Sequence, residues 1–292
     1  MKKTRILWVG SLTFFCIFSV LFPYANGGEI TTTIIYVGGN GAGNYSSIHA
    51  AVNNASANVT IFVYNGTYYE NLVIEKSIVL HGESKNSTII DGGRNKFVVT
   101  LAADHITLSG FMITHSELKF PFSGIYVVSD YNTISNNVLT DNFYGMQLGY
   151  GTGYNEIMNN IIYDNERCGV YFNHSSDNRL IGNIVGNHPA NGFGLYEFSN
   201  NNRIINNTLS GNQYTGINIR ESYNNQVIGN TFIQDRTGLH KPSPEYHTVT
   251  RDNSYSNNIV SLEEERDAIA FTIVFFDIFV VLAYLVFRKR FT

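Results

Sequence analysis

Cysteine is nearly missing from this 292-residue chain, and each missing feature closes off a class of protein. Of the two cysteines, Cys16 lies in a hydrophobic N-terminal run and Cys168 stands alone in the rest of the chain, so no intramolecular disulfide framework can form. Charge is scarce as well. Asp, Glu, Lys and Arg make up 14% of the residues, and a formal net charge of -4 supplies no basic stripe for a nucleic-acid partner. The middle of the chain also has no helix-length apolar pattern. It is crowded instead with Asn, Gly, Ser, Thr and Tyr, a composition that suits turns and stacked strands and leaves stability to packing.

The ends read differently from the middle. Lys2, Lys3 and Arg5 precede an apolar run from Ile6 to Phe22 and then Tyr24, Ala25, Asn26, Gly27 and Gly28, the order of a secretory signal; residues 1–27 are assigned to it, with an uncleaved anchor as the alternative. Ala268 to Phe287 is an apolar stretch of 20 residues, long enough to cross a hydrocarbon core of ~30 Å. Arg288, Lys289 and Arg290 come directly after it, while Glu263, Glu264, Glu265 and Asp267 precede it, so the positive-inside bias keeps the tail cytoplasmic and the preceding domain outside. Asp277 falls in mid-span. A membrane helix over 267–288 and a cytoplasmic tail over 289–292 are therefore expected, with the chain held at the cell surface by the cytoplasmic membrane.

Between the ends the sequence repeats. Asn137, Asn160, Asn183, Asn207 and Asn230 close five ungapped units that open at Asn132, Asn155, Asn178, Asn202 and Asn225, with spacings of 23, 23, 24 and 23 residues, and Gly145, Gly169, Gly192 and Gly216 recur with them. Each unit holds short apolar alternations separated by Asn and Gly. Three short strands and three bends per unit, stacked at ~4.8 Å with right-handed parallel crossovers, form a right-handed parallel β-helix, an all-β solenoid. The rows Ile134, Ile157, Leu180, Ile204, Val227 and Leu139, Ile162, Val185, Leu209, Phe232 then line its interior. The asparagine columns become ladders of side-chain amides passing hydrogen bonds between coils, which makes them structural.

Upstream, Ile78 to Gly82 and Ile106 to Ile113 read as earlier coils in which the period loosens to about 28. Ser46 to Val52 carries an N-cap serine and a 3.6-residue apolar period, a short helix suited to plugging the open end of the stack. The boundaries are thus 28–57 for an N-terminal strand and capping helix, 58–234 for the β-helix and 235–266 for a C-terminal cap and linker.

The run Ile61 to Ile74, then Ser77 to Glu83 and Thr88 to Gly92, resembles the opening of NosD-like and pectinesterase-type β-helix proteins. The later Asn-x-Ile-x-Asn-Asn units resemble the repeats of the NosD-like, carbohydrate-binding and sugar-hydrolase group. This resemblance implies the fold, and it spans lyases, hydrolases, esterases, adhesins and a periplasmic accessory protein linked to copper enzymes. No segment matches the catalytic motifs of the pectinesterases.

Two surfaces are candidates for function. Asp141 and Asp164 match in position one coil apart, next to a column of Asn142, Asn165, His188, Asn212 and Asp235 read as outward. Two carboxylates at strand spacing suit an acid/base pair, or a cation such as calcium shared with His188; equally, an Asp at a bend bonds its own turn backbone. Arg167 is the only nearby cation in the repeat. Met158, Ile181, Ile205 and Ile228 stack outward as an apolar stripe for a protein, a glycan face or the covering segment Gly238 to Tyr255. Near that stripe, Tyr171, with Tyr144, Tyr196 and Tyr214, offers sugar-stacking platforms or ordinary coil surface. Copper handling calls for clustered His, Met or Cys, whereas His81, His105, His115, His174 and His188 are scattered and Cys168 reads as a turn residue, so no metal site or cofactor is expected. Glu156 and Arg179 should pair across coils. Seven Asn-x-Ser/Thr sequons, at Asn44, Asn54, Asn58, Asn65, Asn86, Asn173 and Asn206, fit an exported glycoprotein, with Asn206 read as a ladder position. The expected function is non-catalytic binding of carbohydrate or envelope proteins, with a polysaccharide lyase or glycosidase, or a NosD-like accessory factor for copper enzymes, as the alternatives.

Overall fold

The structure, a computed structural model, describes residues 33–236, 238–240 and 253–261. Its strands wind as a right-handed parallel β-helix. Among the described residues they fall into three parallel sheets of ten, nine and eight strands, named here sheets A, B and C. Each coil visits A, then B, then C. The coil of Thr133–Ser135, Val138–Thr140 and Tyr144–Leu148 pairs in register with that of Glu156–Met158, Ile161–Tyr163 and Cys168–Asn173. The signal segment 1–27 and the membrane segment 267–288 lie outside the described residues. Among the described residues no helix is long and apolar enough to cross a membrane.

The two apolar rows read from the sequence run inside the tube at 0–1% exposure, with Ile134, Ile157, Leu180, Ile204 and Val227 on sheet A and Leu139, Ile162, Val185, Leu209 and Phe232 on sheet B. A third row, Met146, Val170, Phe193 and Ile217, closes the core from sheet C. One-residue alternation in three-residue strands turns the middle side chain inward, which is why the burial pattern of the sheet A and B strands is so regular.

Ladders occupy the three corners. Between sheets A and B, Asn160, Asn183, Asn207, Asn230 and Asn258 each offer Oδ1 to the backbone N–H and side-chain Nδ2 of the Asn one coil earlier, at 2.8–3.2 Å, and at the start of the ladder Asn137 Oδ1 accepts from the Phe111 N–H. The Nδ2 groups also donate to carbonyls of the preceding coil, as from Asn183 to Ile157. Buried amides are thereby satisfied without solvent. The residue before each ladder Asn has positive φ: Asn136, Asn159, Gly182, Asn206 and Gly229. Asn and Gly tolerate that left-handed bend, so the doubled Asn-Asn and Gly-Asn motifs divide into a bend residue and a ladder residue. Asn206 is accordingly an exposed bend residue and not a ladder member. A second ladder from Asn132 to Asn225 lies between sheets C and A.

Helix Ile48–Asn54 covers the N-terminal end, with Ile48, Ala51 and Val52 buried. Ser47 accepts from the Ala50 N–H, Glu70 accepts from the Ile48 and His49 N–H groups, and Lys76 Nζ donates to the Val52, Asn53 and Ala55 carbonyls. Both helix ends are thus satisfied with charge of the sign each favours. At the other end, strands Leu239–His240, Ser254–Ser256 and Ile259–Ser261 keep the register of all three sheets within the segment 235–266.

Candidate functional site

Asp141 and Asp164 both occupy the positive-φ bend between sheets B and C. The Asp141 carboxylate is turned away from a partnership with Asp164: Arg94 donates to its Oδ1 at 2.6 Å and His115 Nε2 lies 3.0 Å from Oδ2, while His115 Nδ1 lies 2.9 Å from Asp91. The link to Asp164 is between backbones, from the Asp141 N–H to the Asp164 carbonyl. Arg94 hydrogen bonding holds the Asp141 carboxyl below the usual carboxylate range. Arg167 is therefore not the nearby cation; Arg94 arrives from 47 residues upstream, a contact outside the repeat. The expected acid/base pair is not assembled.

The column beside these bends points inward. His188 is fully buried, and with Asn142, Asn165, Asn212 and Asp235 it forms the third corner ladder, accepting through Nδ1 from the Asn165 N–H at 3.2 Å. Its placement on a binding surface is corrected: the residue after the positive-φ bend turns into the tube at this corner as at the others. Burial pushes His188 down to about 4, so the imidazole is neutral. The glycines of the repeat serve this ladder. A Cβ at Gly145, Gly169 or Gly192 would come within 3.1 Å of the Asn165 Nδ2, His188 Nε2 and Asn212 Nδ2 atoms respectively.

Met158, Ile181, Ile205 and Ile228 form a half-buried row on the outer side of sheet A, ending at Ser135 and Ser256. Most of the suggested covering segment, 241–252, lies outside the described residues. Glu156 and Arg179 pair at 2.6 Å as expected. Tyr171 is on another face, sheet C, and does not adjoin the stripe.

The outer side of sheet C holds a cleft of about 380 Å³. The Tyr144 and Tyr171 rings stack at 4.9 Å and 12°, and Tyr196 is next in line at 5.4 Å and 36°. Tyr196 reaches this position by folding back over Gly194, where a Cβ would stand 2.5 Å from its ring. Its hydroxyl accepts from Asn191 Nδ2 at 2.7 Å and Asn218 Nδ2 at 3.3 Å, leaving the phenolic hydrogen to donate elsewhere. Asn191, Asn218 and the in-register Gln147 are buried to 3–4% exposure, and each keeps a carbonyl oxygen without a hydrogen-bond partner. Arg167, Glu197, Arg220 and Glu221 stand at the rim. Cys168 begins strand Cys168–Asn173 and is buried, so it is not a turn residue; burial pushes its thiol and the Tyr144, Tyr171 and Tyr196 phenols upward, keeping all four neutral. Among the lining residues, Tyr144, Cys168, Tyr171, Asn191 and Tyr196 are uncharged, and Asn191 brings the unpaired oxygen; Gln147 and Asn218 lie on the same sheet outside the lining. Gln147, Asn191 and Asn218 were not singled out from the sequence; aligning third strands as well as first and second ones places them on the outer side of sheet C.

Comparisons with known proteins agree with this architecture. The family described as Periplasmic copper-binding protein (NosD) matches residues 52–271. No curated protein matches the sequence. Among solved structures, a pectin methylesterase from carrot is similar at 13% identity with a TM-score of 0.60, over 82% of this chain and 86% of that one. Pectin methylesterase from Aspergillus niger is similar at 12% identity and 0.53, over 84% and 90%, and pectate lyase Pel9A at 17% and 0.52, over 79% and 77%. At such identities the likeness carries the fold alone.

The family description raises copper, and the donors here do not fit it. Among the described residues no three His, Cys, Asp or Glu side chains converge on one point. His188 is committed to a ladder, Cys168 is held as a buried thiol where a thiolate would be the ligand, and His115 lies between two carboxylates, one of them bound by Arg94. Met146 is in the core and Met158 lies on sheet A. No step is routed through copper. With its coil architecture in place and the match extending over most of its length, this chain belongs to the NosD family of β-helix proteins.

Proposed function

We propose that the sheet C cleft binds a saccharide outside the cytoplasm, without chemistry, in a chain anchored by residues 267–288. The observation that carries this reading is a cleft in which the Tyr144, Tyr171 and Tyr196 rings stand beside Asn191, whose buried carboxamide oxygen lacks a donor. A pyranose has an apolar ring face for an aromatic surface and a rim of hydroxyl donors for unpaired acceptors. A purely apolar ligand would leave the Asn191 acceptor orphaned. The periplasmic description of the family favours an extracytoplasmic site. Binding without turnover is favoured because Glu197 at the rim faces His174 at 3.4 Å and Asp141 is held by Arg94, so neither stands ready as a proton-transfer group. Affinity electrophoresis or calorimetry of the full chain against soluble polysaccharides tests the reading. Retention that is lost in Tyr171→Ala, with no rise in reducing ends, supports it. Depolymerisation, or binding indifferent to Tyr171, overturns it.

A second reading concerns the row from Met158 to Ile228. Four half-buried apolar side chains in line on sheet A favour an envelope-protein contact there. Loss of a crosslinked partner in Ile205→Lys, with saccharide retention intact, would separate the two surfaces.

A further inference from the structure

Within the described residues the last member of the ladder between sheets B and C is an acid. Asn142, Asn165, His188 and Asn212 lead to Asp235, whose Oδ1 accepts from the Asn212 backbone N–H at 2.8 Å and from its Nδ2 at 2.7 Å. That is the duty of a ladder carboxamide oxygen. The other carboxyl oxygen, Oδ2, is buried without a hydrogen-bond partner and stands where a Cβ on Gly216 would come within 2.5 Å of it. In the earlier coils the atom in this place is a nitrogen: Asn142 Nδ2 against Gly124, Asn165 Nδ2 against Gly145, Asn212 Nδ2 against Gly192. Those nitrogens donate to carbonyls, Asn142 to Ile113 and Asn165 to Leu139. The register carries that row of carbonyl-bearing residues on through Ile162 and Val185 to Leu209. A carboxylate would therefore set an unpaired negative oxygen in a donor's place, where desolvation disfavours charge.

We infer that Asp235 completes the ladder as an asparagine mimic when its carboxyl is protonated, and that its ionisation loosens the last described coil of the solenoid. Among the described residues its surroundings supply no counter-charge. Asn212, Gly216, Phe232 and Gly238 pack around it, and Arg236, its sequence neighbour, is exposed. Burial pushes its carboxyl up to about 6, against the two Asn212 hydrogen bonds, and no charged group adds to either side. Strand Leu239–His240, just beyond Asp235, pairs with strand Thr215–Ile219 and places its backbone beside Asn218, whose Nδ2 donates to the Tyr196 hydroxyl of the cleft. The device thus joins proton concentration to the C-terminal edge of sheet C. The coil is closed in mildly acidic surroundings and loosened at neutral pH. Linkage sets this sign: a folded carboxyl that binds its proton more tightly than the unfolded one loses stability as pH rises through the window between the two values.

Two measurements on the full-length chain test this. The infrared carbonyl band of a protonated carboxyl should titrate with a midpoint near 6 and be missing in Asp235→Asn; a midpoint near the ordinary 3.8 overturns the inference. Hydrogen exchange, corrected for intrinsic rates, should show the amides of residues 238–240 and 254–261 losing protection by up to about 100-fold between pH 4 and 7. Asp235→Asn should hold that protection at both values. Equal pH dependence in the two proteins overturns the clasp. The local read-out matters because His188 acts on global stability with the opposite sign, and the infrared titration decides the protonation state even if the variant fails to fold.

Discussion

Tyr196 lies over Gly194 so closely that the glycine's missing side chain sets the position of the ring. The consequence is a separation of binding from stability. In Gly194→Ala the new methyl meets the far end of the Tyr196 side chain, which swings outward with the backbone unchanged. Saccharide affinity should fall about tenfold, equivalent to ~1.4 kcal/mol, while the denaturation midpoint moves by less than ~1 kcal/mol. Calorimetry beside a urea titration checks both; a large stability loss would mean that the ring cannot move.

The asparagine ladders predict a steep contrast between buried and exposed links of the same coil. Asn183→Ala removes an Oδ1 that serves the Asn160 N–H and Nδ2 and an Nδ2 that serves Ile157, leaving buried groups unpaired. A cost of ~2–4 kcal/mol is expected in urea unfolding. Arg179→Ala breaks only the exposed pair with Glu156 and should cost less than ~1 kcal/mol.

Two titrations should be visible in the pH dependence of stability. Asp141 has a folded pKa lowered by Arg94, so its contribution is present above the unfolded carboxyl value of ~3.9 and is lost as pH falls through the folded value. Because the pair is half exposed, Arg94→Ala should cost ~0.2–1 kcal/mol at pH 7, and the difference should shrink as pH falls through the folded value. Asp164→Asn should change neither. Thermal unfolding in a pH series reads all three.

His188 titrates with the reverse origin and the same direction. Its folded value of about 4 lies below the unfolded 6.5, so the unfolded chain binds the extra proton and stability falls as pH drops from 6.5 to 4. The loss is on the order of 3 kcal/mol. His188→Asn restores the amide of the neighbouring coils and should flatten that slope; a parallel profile in the variant would reject the assignment.

Much of the fold was legible because its period was. The first and second strands of each coil carry a single inward residue between two outward ones, so five aligned units placed Ile157 and Ile162 in the core without structural information. The third strand carries a Gly at the bend and longer pairing, with Met146 and Leu148 both inward, and there simple alternation gave less. For that reason Gln147, Asn191 and Asn218 stayed out of view while Tyr171 did not. His188 was misread because a polar residue beside a bend looks solvent-facing until the bend's positive φ is known, and that φ turns it inward. The Arg94 contact to Asp141 spans coils of unequal length, where no period aligns the chain.

Because each ladder joins a coil only to its two neighbours, the molecule is modular in a strict sense. Excising residues 155–177 would bring Asn178 to the place of Asn155 against Asn132, and the 23-residue phase of all three corners would be kept. The product should be shorter by one ~4.8 Å step and carry one fewer aromatic rung on sheet C, since Tyr171 leaves with the coil. Gene duplication and loss in whole units could therefore tune how much ligand the surface spans without disturbing how any single coil folds, which makes groove length an inherited variable separate from stability per turn.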